Sequence, residues 1–65
     1  MDVKEVKKRV AEIKKVMGDQ EAAHSLEDQL YQAVLESIVK DPSNAQELAK
    51  EALKTIKLDF ERWYA

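Results

Sequence analysis

The stretch from Asp19 to Lys40 constrains the fold most, because it reads as one uninterrupted helix. It contains no glycine or proline, and its length corresponds to about six helical turns. One apolar stripe follows helical spacing along it: Ala23, Leu26, Leu30, Ala33, Val34 and Ile38. Tyr31, Leu35 and Val39 form a second stripe about a hundred degrees round from the first. Two apolar stripes indicate neighbours on both sides, so this helix is predicted to be central.

A first helix is predicted from Asp2 to Met17. Its apolar residues form one narrow stripe at helical spacing: Val3, Val6, Val10, Ile13, Val16 and Met17. Asp2 is a candidate N-cap, and Glu5 follows three residues later, as in a capping box. Gly18 is the only glycine and stands where helices commonly end in a left-handed residue. Asp19, directly after it, can cap the central helix.

The central helix is predicted to end where a proline follows an aspartate, since the residue before proline avoids the helical conformation. Ser43 is then a candidate N-cap and Gln46 completes a capping box, so a third helix is predicted to start at Asn44. Its apolar face comprises Ala45, Leu48, Ala49, Ala52, Leu53 and Ile56. The same face continues to Trp63, which favours one continuous helix. The β-branched residues within Thr55–Leu58 leave a kink there as the alternative.

These segments predict an all-α, three-helix domain that spans residues 1–65. A chain this short buries only about 60% of the surface that it exposes when unfolded. It has no cysteine, so no disulfide or thiolate-bound metal adds stability. Helix packing, self-association or a partner must supply it. The lack of cysteine fits a reducing cytoplasm, and no segment is apolar enough to span a membrane.

The net charge of −2 conceals an uneven distribution. Residues 2–15 carry six basic and three acidic side chains, whereas residues 19–36 carry five acidic ones and no lysine or arginine. The simplest interpretation is that a basic first helix packs antiparallel on an acidic second helix. The alternative is that the first helix contacts nucleic acid. An isoelectric point of about 5.3, and Glu5 and Glu12 among the basic residues, count against this alternative.

His24 is the only histidine, and three carboxylates on the same helix can reach it: Glu21, Glu27 and Asp28. Such a cluster could bind a metal or poise the imidazole as a base. A catalytic metal usually takes three protein ligands, so two chains would have to share this one. The simpler interpretation is a histidine packed beside Ala23 that donates to a carboxylate. We therefore expect no metal and no cofactor.

Catalysis by this chain is not expected. Ser25 follows His24 in sequence, but neighbouring residues in a helix point about a hundred degrees apart. A chain with one glycine has no glycine-rich phosphate loop. The sequence thus indicates a binding protein and not an enzyme.

Most of the aromatic residues lie near the C-terminus, where Phe60, Trp63 and Tyr64 either close the core or anchor an interface. The candidate interface residues are Tyr31, Leu35, Val39, Arg62, Trp63 and Tyr64. The narrow first helix and the small alanines of the third helix are expected to leave part of this surface uncovered. A two-fold homodimer is the expected way to cover it.

Three stretches carry a resemblance to known proteins: AHSLEDQL over residues 23–30, the spaced residues Val34, Leu35 and Ile38 that follow it, and LDFERWYA over residues 58–65. Together they resemble a group of small helical proteins encoded by bacteriophages, prophages and bacteria. The resemblance implies a cytoplasmic accessory protein and supplies no catalytic residues. It directs attention to His24, Glu27 and Asp28, and to residues 62–64, as surfaces that are used.

The expected function is a non-enzymatic protein-interaction module or accessory protein that binds itself or another protein. A small regulator that contacts DNA or RNA through the basic first helix is the alternative. A metal site shared at a dimer interface comes third.

Overall fold

The computed structural model describes residues 1–62, and these contain three α-helices and no strand. Helix α1 is Val3–Lys15, α2 is Gln20–Lys40 and α3 is Ala45–Ala52. A short 3-10 helix, Pro42–Asn44, precedes α3, and a second one, Leu53–Lys57, follows it. The predicted all-α, three-helix fold is confirmed.

The starts of α1 and α2 confirm the predicted aspartate caps. The Glu5 N–H donates to Asp2 Oδ1 at 2.8 Å, and the Ala22 N–H donates to Asp19 Oδ1 at 3.1 Å. Each bond satisfies a backbone donor that has no partner within the helix. The Glu5 carboxylate accepts from Arg9 Nε at 3.1 Å. Local sequence therefore suffices to begin both helices.

The predicted left-handed cap at Gly18 is wrong, because Gly18 does not have a positive φ. Helix α1 ends at Lys15, two residues before the predicted end at Met17. Backbone bonds between residues three apart tighten the chain here: the Val16 N–H donates to the Ile13 carbonyl and the Asp19 N–H to the Val16 carbonyl. This tight turn reverses the chain without a left-handed residue.

Helix α2 ends at Lys40 as predicted, but α3 begins differently. Asp41, and not Ser43, supplies the capping oxygen: its Oδ1 accepts from the Ser43 N–H at 3.1 Å. Asn44, just before α3, makes no capping bond through its side chain. The predicted Ser43–Gln46 capping box is thus wrong, and α3 begins at Ala45. Aspartate readily bonds a backbone N–H two residues on, and the proline after it favours an immediate turn.

The predicted continuous third helix is also wrong. The α-helix stops at Ala52, the 3-10 helix Leu53–Lys57 follows, and the backbone is extended at Leu58. The alternative, a kink within Thr55–Leu58, agrees with this course. The part of the prediction that concerns Trp63 lies outside the described residues.

The change to 3-10 geometry alters which side chains after Ala52 face inward. In a 3-10 helix, residues three apart lie one above the other. Thr55 therefore follows Ala52 into the core and is fully buried. Leu53 and Ile56, which were predicted to lie on the apolar face, share another side, about 120° round the 3-10 helix from Thr55, and are exposed.

The core lies where all three helices meet, and each helix contacts the other two. Its buried apolar residues are Val6, Ile13, Ala23, Leu30, Val34, Leu48, Ala52 and Phe60. Helix α2 contributes more buried residues than α1 or α3. Burial of Phe60 agrees with the interpretation that a C-terminal aromatic closes the core.

Candidate protein-interaction surface

A partly buried ion pair joins the C-terminal segment, residues 59–62, to α2. Arg62 Nε donates to Glu27 Oε1 at 2.8 Å, and Arg62 Nη2 donates to Glu27 Oε2 at 3.0 Å. The Glu27 side chain is 4% exposed and that of Arg62 is 29% exposed. Two parallel bonds of this kind fix both distance and orientation. The pair therefore holds residues 59–62 in one position against α2.

The same guanidinium also binds the backbone of the segment that precedes it. Nη2 of Arg62 donates to the Thr55 carbonyl at 2.8 Å, and Nη1 donates to the Phe60 carbonyl at 3.1 Å. The Arg62 Cζ atom lies 3.9 Å from the centre of the Phe60 ring, within range of a cation–π interaction. Arg62 thus joins the second 3-10 helix, residues 59–62 and α2.

The environment of Glu27 keeps it ionised. Burial alone would raise the pKa of Glu27. Hydrogen bonds from Arg62 and Thr55, with the charge of Arg62 and the nearby His24 imidazole, outweigh burial and lower the pKa below its ordinary value of 4.5. At neutral pH the carboxylate is charged and paired, as a structural anchor requires.

The predicted polar cluster is split between the core and the surface. His24 is buried, and its Nε2 lies 3.4 Å from Asp28 Oδ1. Asp28 and Glu21 are exposed, whereas Glu27 turns inward to Arg62. Residues 1–62 contain no group of three histidine or acidic side chains placed to hold a metal ion.

An apolar groove of about 250 Å³ runs between α2 and the segment formed by α3 and the second 3-10 helix. It is lined by Tyr31, Val34, Leu35, Ile38, Ala49, Ala52 and Leu53. The hydroxyl of Tyr31 is hydrogen-bonded to the hydroxyl of Thr55, so it does not make the groove polar. The alanines of α3 leave the space between the two helices partly unfilled.

Leu35 and Leu53 line this groove, Val39 and Ile56 follow them one turn farther along the same helices, and all four side chains are strongly exposed. Leu35 is 63% exposed and Val39 is 84% exposed on α2. Leu53 is 54% exposed and Ile56 is 65% exposed on the 3-10 helix. We call these four residues and the groove lining the α2/α3 surface. An isolated exposed leucine is ordinary, but a contiguous apolar patch on a small domain usually marks an interface.

The structure assembles only part of the predicted interface. Tyr31 and Leu35 line the groove and Val39 follows Leu35 along the same exposed side of α2, while Arg62 belongs to the ion pair with Glu27. Trp63 and Tyr64 lie outside the described residues.

Sequence reasoning missed the exposed pair Leu53 and Ile56, although the β-branched residues at positions 55 and 56 already suggested an irregular helix end.

The basic residues of α1 lie at the surface. Lys4, Lys7, Lys8, Lys14 and Lys15 are exposed, and Arg9 pairs with Glu5 on the same helix. Arg9 and Glu5 also line a second, polar recess with Glu12, Leu26 and Gln29. Acidic groups therefore interrupt the positive surface, as the sequence suggested.

Comparisons with protein-family models, with curated proteins and with solved structures gave no match for this chain. Among residues 1–62, no helix has both the length and the apolar character needed to cross a membrane.

Proposed function

We propose that this protein is a non-enzymatic protein-interaction module that binds its partner through the α2/α3 surface. One observation carries the proposal: Leu35, Val39, Leu53 and Ile56 stay exposed together at or beside an apolar groove. Burying each of these side chains on binding would contribute about 1–2 kcal/mol through the hydrophobic effect. A partner helix that lays apolar side chains into the groove would gain this free energy.

The anchoring of the C-terminal segment supports the proposal. Arg62 fixes the second 3-10 helix through the Thr55 carbonyl, and Tyr31 holds the same residue through its hydroxyl. Leu53 and Ile56 are thereby presented by a segment attached at two points. A surface that is already ordered costs less conformational entropy when it binds.

We further propose a cytoplasmic accessory role that needs no cofactor. The cysteine-free sequence and the resemblance to phage-encoded and bacterial proteins support this role.

Site-specific photo-crosslinking in cells that make the protein tests the interaction. A photoreactive residue at Leu35 should join the chain to a protein, either another copy or a different one. The matched control carries the same group at Lys8, on the exposed side of α1. Selective crosslinking at position 35, lost when Leu53→Glu is added, is the expected result. Equal crosslinking at both positions, or none at position 35, would contradict the proposal.

A further inference from the structure

Charge is distributed unequally across the α2/α3 surface. On α2, Asp28, Gln32 and Glu36 are four residues apart and are exposed. Asp28 lies on the side that carries Leu35, and Glu36 lies next to Val39, three residues on, at the outer edge of that side. Their charges are balanced by no lysine or arginine of α2: Glu36 accepts from Gln32, and Asp28 lies beside His24. No lysine or arginine occurs from Asp19 to Glu36. The α2 border of the groove is therefore acidic.

The opposite border is basic. Lys50, Lys54 and Lys57 are all exposed and flank the apolar pair Leu53 and Ile56. Lys54 pairs with Glu51 in its own segment, whereas Lys50 and Lys57 form no ion pair within residues 1–62. One wall of the groove thus differs in sign from the other.

The acidic and basic residues also occur at matching heights. The chain reverses between Lys40 and Ala45, and Tyr31 contacts Thr55 farther along, so α2 and the following segment run antiparallel. Counted from this contact by the rise per residue of each helix type, Glu36 and Lys50 each lie about 8 Å in one direction. Asp28 and Lys57 each lie about 4 Å in the other direction.

We propose that the partner on the α2/α3 surface is a second copy of this chain, related by a two-fold axis parallel to α2. This inference rests on the proposed function. The axis places α2 of each copy opposite the α3 segment of the other. Glu36 then faces Lys50 of the partner copy, and Asp28 faces Lys57 of the partner copy. The dimer buries four side chains that are exposed in the single chain, and these lie between the charged borders: Leu35, Val39, Leu53 and Ile56.

The charge distribution selects this arrangement over the other simple two-fold packing. An axis across the groove would place α2 on α2, with acidic borders facing each other. Like charges in direct opposition disfavour an association, and unlike charges fix its register. In the proposed dimer, each α2 lies between two antiparallel basic segments, its own and that of its partner.

Charge reversal tests the dimer by sedimentation or light scattering over a dilution series. The wild-type chain should dimerise, and its melting midpoint should rise with concentration. Glu36→Lys and Lys50→Glu should each raise the dimer dissociation constant by about three- to tenfold, because the contact occurs twice in the dimer. The double variant should return to within about twofold of the wild type. Lys8→Glu is the control, and circular dichroism verifies that every variant folds.

Two results would overturn the inference. A wild-type chain that stays monomeric, with a melting midpoint independent of concentration, excludes a second copy. Crosslinking of Leu35 to a different protein would then still support the proposed function. The second result is a dimer that Leu35→Glu disrupts, but whose dissociation constant is as high in the double charge variant as in the single variants. This result would exclude the proposed orientation of the two copies.

Discussion

Arg62, 35 positions later in the chain, forms a bidentate ion pair with Glu27 and so fixes the last described residues, 59–62, against α2. One guanidinium nitrogen of Arg62 also donates to the Thr55 carbonyl, which belongs to the second 3-10 helix. Glu27 and Arg62 thus connect the folding core to the segment that displays Leu53 and Ile56.

Arg62→Ala should lower the free energy of unfolding by about 2–3 kcal/mol, because it leaves the Glu27 carboxylate buried without its main partner. The free energy of unfolding of Arg62→Lys should lie between those of the wild type and Arg62→Ala, since lysine keeps the charge but not the planar guanidinium that makes two parallel bonds. Urea unfolding measures both. Lys54→Ala removes a partner from a surface ion pair and should have little effect. Equal losses for Arg62→Ala and Lys54→Ala would show that the buried pair has no special role.

The lowered pKa of Glu27 predicts an acid-dependent loss of stability. The folded state holds this carboxylate ionised at a pH where the unfolded chain already binds a proton. Stability from Glu27 is therefore complete above its ordinary pKa of 4.5 and is lost as the pH falls through the lower folded value. Urea unfolding from about pH 6 to about pH 3 should show a shallower decline for Glu27→Gln than for wild type. Parallel declines would contradict the assignment.

The bond between the Tyr31 and Thr55 hydroxyls should couple α2 energetically to the second 3-10 helix. Tyr31→Phe and Thr55→Val each remove one hydroxyl of this bond, in which Thr55 is fully buried and Tyr31 is partly buried. A double-mutant cycle should give a coupling free energy of about 1 kcal/mol. Strictly additive effects of the two substitutions would mean that this bond does not join the elements.

Gly18→Ala should stabilise the protein. Gly18 has no positive φ, and a Cβ placed there would meet nothing within 4 Å. Alanine should then raise the free energy of unfolding by about 0.4–1 kcal/mol by restricting the unfolded chain. Thermal unfolding should show a midpoint a few degrees higher. Asp19→Ala is a useful contrast, because it removes the α2 cap and should cost about 1 kcal/mol. A lower midpoint for Gly18→Ala would indicate strain at this turn.

The sequence alone determined the features that depend on residues within about one turn of each other. The Asp2 and Asp19 caps each bond a backbone N–H three residues away, and apolar spacing identified the buried sides of α1 and α2. The end of α2 at Lys40 followed from the backbone restriction that a proline places on Asp41. These predictions needed no knowledge of distant residues.

Only the tertiary structure decided how the chain ends and which surface stays open. An α-turn and a 3-10 turn differ little in local sequence requirements, so the segment after Ala52 could continue either way. Tyr31 bonds the Thr55 hydroxyl and Arg62 bonds the Thr55 carbonyl; together with the ion pair to Glu27 they favour the geometry that buries Thr55. The same geometry turns Leu53 and Ile56 outward. Tyr31 lies 24 residues from Thr55, and Glu27 lies 35 residues from Arg62, so neither local propensity nor periodicity could identify these contacts.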